Sequence, residues 1–303
     1  MMRTGCQHAS TRGFLAALAS VFVSAAAMAG ETVDETREIQ ADSLIEIINT
    51  RGEVLVSAWD RNEIQVNGEL DDLAEEFIFE VRGNQARIEV KIPRRNVNWG
   101  DGSDLEIRVP AAARVSVDSV SSDVTVEGIN GGTRINTASG DIRVRRLGTQ
   151  YSIRAVSGDI DVADSTGSGK VSSVSGEIQL EADSTMLAVE TVSGDIEVRL
   201  DTTRRLIVDA VSGDVEIRTR LADGGEIDIS TVSSDLELEL ESPVNASLRI
   251  ETGPGGDITN RLSEDPVESK FPAMSALRAE LGSGSGSINL RTVSGDIRLD
   301  SAD

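Results

Sequence analysis

From residue 111 to residue 300, apolar and polar side chains alternate in short runs, each interrupted by Ser-Gly-Asp or a close variant. Tyr151-Ser-Ile-Arg-Ala-Val156 leads into one interruption and Asp159-Ile-Asp-Val162 leads out of it. A period of two predicts strands with one buried face. At the interruption Gly158 permits a positive φ, and Ser157 and Asp159 can bond nearby backbone N–H groups, which predicts a tight corner. The acidic position recurs at 123, 141, 159, 177 and 195, a constant step of 18. A second, less regular turn falls between corners, at Gly128–Gly132, Leu147–Thr149, Ser165–Gly169 and Ala182–Thr185.

Each unit therefore holds two strands and two turns, and a fixed short period means stacked units that cover one another's apolar edges. The expected fold is all-β: a β-solenoid, in the form of a right-handed single-stranded β-helix with coils of about 18 residues. Ile142, Ile160, Ile178, Ile196 and Val215 share one repeat position and are expected to stack as a buried column. The acidic steps lengthen to 19, 21 and 22 through Asp214, Asp235 and Asp257, so the turns there carry extra residues. Between 260 and 280 the pattern breaks at Pro266, Phe271 and Pro272, which predicts an excursion from the solenoid of residues 111–303. Helix-period stretches are almost absent.

Residues 30–110 are β-rich but less periodic, with Asn49-Thr-Arg-Gly-Glu-Val-Leu-Val56 as a diverged repeat that places Glu53 at the acidic position. They are expected to cap the solenoid and shield its edge, with an independent small β-sandwich as the alternative. The last strand, Asp296 to Leu299, is followed by four residues only. It is expected to leave free N–H and C=O groups at Ile297 and Leu299, open to edge-strand self-association or a partner strand. Asp300 and Asp303 would restrain that pairing by charge; in the competing arrangement the 260–280 excursion covers the edge.

The order of a Gly-Glu-Val-Leu-Val strand, a charged β segment, Asp104-Leu-Glu-Ile-Arg-Val-Pro110 and serial Ser-Gly-Asp-Ile repeats resembles the bacterial putative-adhesin family of β-strand repeat proteins, a domain of unknown function. The resemblance spans residues 40–300 and implies a β-helical fold in the cell envelope.

Composition narrows the function. Arg3 and Arg12, the apolar run Phe14–Ala27 and the small-x-small end Ala27-Met28-Ala29 read as a secretory signal peptide over residues 1–29, with an apolar stretch too short for a good membrane span. Export is expected, to the periplasm first and to the cell surface or medium second, with no integral membrane segment after cleavage. Cleavage also removes the only cysteine, Cys6, and the only histidine, His8. Cys and Ser-His nucleophile systems and His-based zinc or haem sites are thereby excluded. Removing two of the 29 basic residues against 52 acids takes the net charge to −25, which repels nucleic acid and anionic lipid.

The acids are the first chemical candidate. Stacked at a strand spacing of about 4.8 Å, Asp141, Asp159, Glu177, Asp195 and Asp214 would form one row. Neighbouring charges at that separation repel by about 0.9 kcal/mol even in bulk water, so backbone N–H donors, an arginine or a cation must offset them. Oxygen-only ligation suits Ca²⁺; ordinary turn chemistry explains the same residues, and the nine-residue Gly-Gly-x-Gly-x-Asp pattern of Ca²⁺-binding β-rolls is absent apart from a loose echo at Gly282–Gly286. No other cofactor is expected. Paired carboxylates could hydrolyse glycosides, but the short turns offer little to wall a cleft, so an enzyme is not expected. Arg94, Arg95 and Trp99, on a Pro/Gly-bounded loop, are candidates for contact with an envelope protein or glycan, with Trp99 folded back as a local plug as the alternative. Arg143, Arg145 and Arg146 are expected to answer the acid rows. The expected function is a non-catalytic, adhesin-like binding or scaffold module, with a Ca²⁺-stabilised adhesin and a carbohydrate-active enzyme as successive alternatives.

Overall fold

The computed structural model describes residues 30–93, 101–270 and 274–302. All regular structure among them is β. The front of the chain supplies β1 (Thr32–Glu38), β2 (Leu44–Trp59), β3 (Glu63–Glu69), β4 (Glu76–Arg82), β5 (Gln85–Lys91) and β6 (Ser103–Pro110). The periodic part supplies β7 (Arg114–Glu127), β8 (Thr133–Ser139), β9 (Ile142–Arg145), β10 (Gln150–Ser157), β11 (Ile160–Ser175), β12 (Ile178–Ser193), β13 (Ile196–Ser212), β14 (Val215–Ser233) and β15 (Leu236–Glu241). The last stretch supplies β16 (Ala246–Thr252), β17 (Ile258–Asn260), β18 (Glu268–Lys270), β19 (Met274–Leu281), β20 (Gly286–Ser294) and β21 (Ile297–Ala302).

These strands stack in parallel as two walls joined at the Ser-Gly-Asp corner, the solenoid-like arrangement that the alternating pattern demands. The first wall carries the stretch before each corner, with Ile153 opposite Ile135 on one side and Val171 on the other. The second carries the stretch after it, with Ile142 opposite Ile160, Ile160 opposite Ile178, and Ile178 opposite Ile196. The expected column of Ile142, Ile160, Ile178, Ile196 and Val215 is buried throughout, none more than 1 % exposed. β11 to β14 run on through the second turn, so much of the return path is itself paired, with register shifts at residues such as Ala163 and Ser165.

Packing between coils is matched in volume. Tyr151 faces inward and stands opposite Gly169, where an added Cβ would sit 2.3 Å from the ring. The ring uses the space the glycine leaves, and its hydroxyl lies 2.9 Å from Ser184 Oγ. Burial pushes the Tyr151 pKa up, and the Ser184 contact offsets that only in part.

At both ends the stacking order departs from chain order. β2 lies between β7 on one side and β5 and β6 on the other, so residues 85–110 form the coil outside residues 44–59. The front third thus contributes two coils of the stack, and Glu53 stands opposite both Asp104 and Asp123. Beyond them β4 closes the first wall and β3 with β1 closes the second, all antiparallel. The Arg37 guanidinium, 4.5 Å over the Phe79 ring, links these two closures.

The far end repeats this arrangement and corrects an expectation. Ile297 and Leu299 are not at an edge: β21 pairs with β15 on one side and β17 on the other, and both residues are fully buried. The last coil of the sequence is intercalated, because β16 and β17 swing past the place it will take and become the outer coil. The 260–280 excursion then closes the end: β19 runs antiparallel to β16, β18 pairs with β19, and Leu262 and Val267 pack against the core. The closing strands β1 and β4 are short and carry charged side chains, which blunts strand addition at the edge.

Candidate functional site

The corner places one surface along the length of the molecule. Gly158 has φ +119° and Gly194 +130°, and a Cβ on either would meet the preceding coil's glycine carbonyl oxygen at 2.2 or 2.1 Å. At these corners only glycine satisfies both the backbone angle and the stacking distance, whereas Ser122 and Ser234, at the same repeat position, take the corner without a positive φ.

The acid row forms a ladder. The carboxylate of Asp123 accepts the backbone N–H of Asp141 at 2.9 Å, Asp141 accepts that of Asp159 at 3.2 Å, and Asp159 accepts that of Glu177 at 2.9 Å. The series continues from Asp195 to Asp214 at 2.8 Å and from Asp214 to Asp235 at 3.3 Å. It then follows the stack rather than the chain, from Asp235 to Asp296 and from Asp296 to Asp257, each at 2.8 Å. At the other end Asp104 accepts the N–H of Glu53 at 3.0 Å. These N–H donors are what offsets the repulsion along the row. Among the described residues, the rungs that fail are those that would start from Glu53 and Glu177, where glutamate replaces aspartate. Glu177 takes the Gln179 side-chain amide at 2.8 Å instead. The row thus brings together all five sequence-predicted acids. No group of three or more acid, His or Cys side chains among the described residues is arranged to hold a metal ion.

Beside the acids runs an apolar row. Val120, Val156, Val174, Val192, Val211, Val232 and Val293 are each between 46 % and 56 % exposed. They make up seven of the ten large exposed apolar side chains among the described residues. The residue before each, such as Ala155 or Thr191, takes the inward place, so the valine faces outward at the last step before the corner. Flanking pairs Thr191–Ala210 and Ser193–Ser212 set Val192 beside Val211. The signal was available in the sequence: Ile153 and Ala155 share one parity and Val156 has the other.

Arg94, Arg95 and Trp99 lie outside the described residues. Arg143 and Arg146 sit on acids, Arg143 at 3.2 Å from Asp141 and Arg146 against Glu127. At the second turn Asp164, Asp183 and Asp201 line a recess with Arg199 and Arg218. There the hydrogen bond and charge of Asp201, followed by burial and Asp164, raise the pKa of Asp183. At the N-terminal end Asp71 is buried against Arg51, and its carboxylate accepts the Leu73 N–H at 2.8 Å. Burial alone would raise the Asp71 pKa; the Arg51 and backbone bonds outweigh it and hold the carboxyl below its usual range.

A closed parallel rack with glycine-stacked corners, an aspartate ladder and a valine row defines a class of repetitive β protein. The chain belongs to the Toastrack family, DUF4097, whose profile matches residues 52–252. A comparison with curated proteins finds no match. Among solved structures the chain is similar to a putative adhesin from Bacteroides fragilis, at 15 % identity and TM-score 0.43, covering 89 % of this chain and 97 % of that one. It is similar also to a putative lipid binding protein from Parabacteroides distasonis, at 14 % identity and TM-score 0.43, covering 91 % and 99 %. A putative adhesin from Parabacteroides merdae matches at 10 % identity and TM-score 0.38, covering 90 % and 97 %.

Proposed function

We propose that the protein is an exported, non-catalytic, adhesin-like binding module of the cell envelope, and that the Ser-Gly-Asp corner is its contact edge. Export rests on the signal-like residues 1–29, which lie outside the described residues. Among the described residues no helix is long and apolar enough to cross a membrane. The coils are taken to wind right-handed, the hand that twisted parallel strands favour.

The observation that carries the reading is the valine row. Six half-exposed valines in line from Val156 to Val293, with Val120 one coil further on beyond Ala138, on a corner locked by glycine stacking and the aspartate ladder, form a rigid apolar strip of the kind that marks an interaction surface. An aliphatic strip bordered by carboxylates suits a protein partner better than a sugar, since it offers neither an aromatic face nor a dense set of donors.

Changing Val174, Val192 and Val211 together to Ser tests this. The variant should melt as the parent does, because all three are surface positions, and should lose co-sedimentation with isolated bacterial cell envelopes. Co-sedimentation equal to the parent's would remove the corner as the contact edge.

A further inference from the structure

Away from the corner, the outer face of the first wall carries a groove of about 860 Å³ over β2, β7, β8, β10 and β11. That size falls in the range of small-ligand sites, about 300–1,000 Å³. Gly132, Ser152 and Ser168 line it, so the recess exists because these outward positions are small.

Its charge is unlike that of the rest of the molecule. The chain has 52 acids to 29 Lys and Arg, yet the charged side chains lining the groove are Arg114, Arg134 and Lys170 against Glu46 alone. Glu46 is held by Arg87 at 2.5 Å, and Lys170 by Glu190 at 2.6 Å. Arg114 and Arg134 have no ion-pair partner among the described residues. Both are exposed, and they stand on adjacent strands, Arg134 opposite Ser116 and two residues along from the level of Arg114. Their backbone positions are thus roughly 8 Å apart, from one strand spacing and two residues of rise.

We propose that this groove binds an acidic carbohydrate chain, with Arg114 and Arg134 pairing its carboxylates. A guanidinium matches a carboxylate with two parallel hydrogen bonds, and the shallow floor admits a sugar ring while Thr149 and Gln150 offer polar groups to its hydroxyls. A nucleic acid fits worse. The groove's aromatic, Tyr151, is 3 % exposed and gives no stacking face for a base. This site is separate from the valine corner.

The test is calorimetric titration of the exported protein with oligogalacturonate and with the same oligomer fully methyl-esterified. The acid form should bind, more weakly as salt rises, and the ester should not. Replacing both Arg114 and Arg134 with Ala should weaken binding at least about tenfold, the cost of losing one charge-assisted hydrogen bond, with the melting temperature unchanged. If that variant is destabilised, the Arg114→Lys/Arg134→Lys pair decides, because it keeps charge but loses the fork and should bind several-fold more weakly than the parent. Equal binding of acid and ester, no binding of the acid form to the parent, or undiminished binding by the variants would overturn the proposal. The valine-to-serine variant should bind the acid oligomer like the parent, so failure at the groove and failure at the corner are told apart.

Discussion

The middle of the rack and its two ends are built from the same strands by different rules. From β8 to β15 each coil pairs with the coil that follows it in the chain, and one motif sets corner, core and stacking together. At the ends chain order is given up: residues 85–110 stack outside residues 44–59, and residues 246–260 stack outside the last coil. The reason is closure. A further parallel coil would only repeat the edge it covers, and the stack ends instead in antiparallel strands. The chain makes these by doubling back, as β4 does into β5 through Gly83. Side chains differ accordingly. Phe77, Phe79 and Trp59 lie in the N-terminal end, whereas Tyr151 is the one aromatic among the described residues from β7 to β21. Repetition specifies a neighbour, and irregular chemistry specifies where to stop.

The largest expected effect comes from treating a middle coil and the intercalated last coil alike. Ile196→Asp and Ile297→Asp should each cost at least about 3 kcal/mol, because each leaves an unpaired charge between two coils. Val192→Asp, four residues from Ile196 but exposed, should change stability by no more than about 0.5 kcal/mol. Urea unfolding of the three variants checks this. A mild Ile297→Asp would return the last strand to the edge of the stack and undo the intercalation.

A comparable loss is expected at the N-terminal end, with a pH signature the middle does not share. Asp71→Asn leaves Arg51 without its buried partner and should cost about 3 kcal/mol at neutral pH. The Asp71 carboxyl is held below its usual range, so its stabilisation is present above the unfolded carboxylate pKa and is lost as pH falls through the folded value. Parent and variant should therefore converge in stability at acidic pH. A constant gap from neutral to acidic pH would show that the loss is one of shape rather than of charge.

The contrast also marks what could be read in advance. Ile142, Ile160, Ile178 and Ile196 announced the middle, because a strand period and an 18-residue step together leave one stacking register. The valines have the outward parity of their strands, but the parity of the buried residues changes across the corner, from Ala155 to Ile160, so the period does not run on through it. Intercalation at Ile297 escaped for a deeper reason. The coil of residues 286–302 carries the same motif as its neighbours, and an identical motif fits equally well against either face of a stack. Which coil lies inside is decided by the paths of residues 242–245 and 261–285, and those have no period to read. Likewise Asp71 carries no motif; its role comes from meeting Arg51 across 20 residues.

The smallest effect lies in the middle itself, where the ladder is incomplete. Glu177 accepts from Gln179 and makes no rung to Asp195, while the aspartates on either side of it each bond the next coil. The extra methylene carries the carboxylate past the neighbouring N–H. Glu177→Asp should restore the rung and add about 0.5–1 kcal/mol, the net worth of one hydrogen bond to a charged group less the lost Gln179 contact. In a chain of this size that is a rise in melting temperature of about 1–3 °C. Since each ladder aspartate except the terminal Asp257 already spends one oxygen on an N–H donor, about 1 mM Ca²⁺ should leave parent and variant unmoved. A Ca²⁺ site of about 10 µM affinity would instead add about 2.7 kcal/mol. A saturable rise with Ca²⁺ and not with Na⁺ at equal ionic strength would make the row a cation site. A fall in stability on Glu177→Asp would show that the rungs do not hold the coils together.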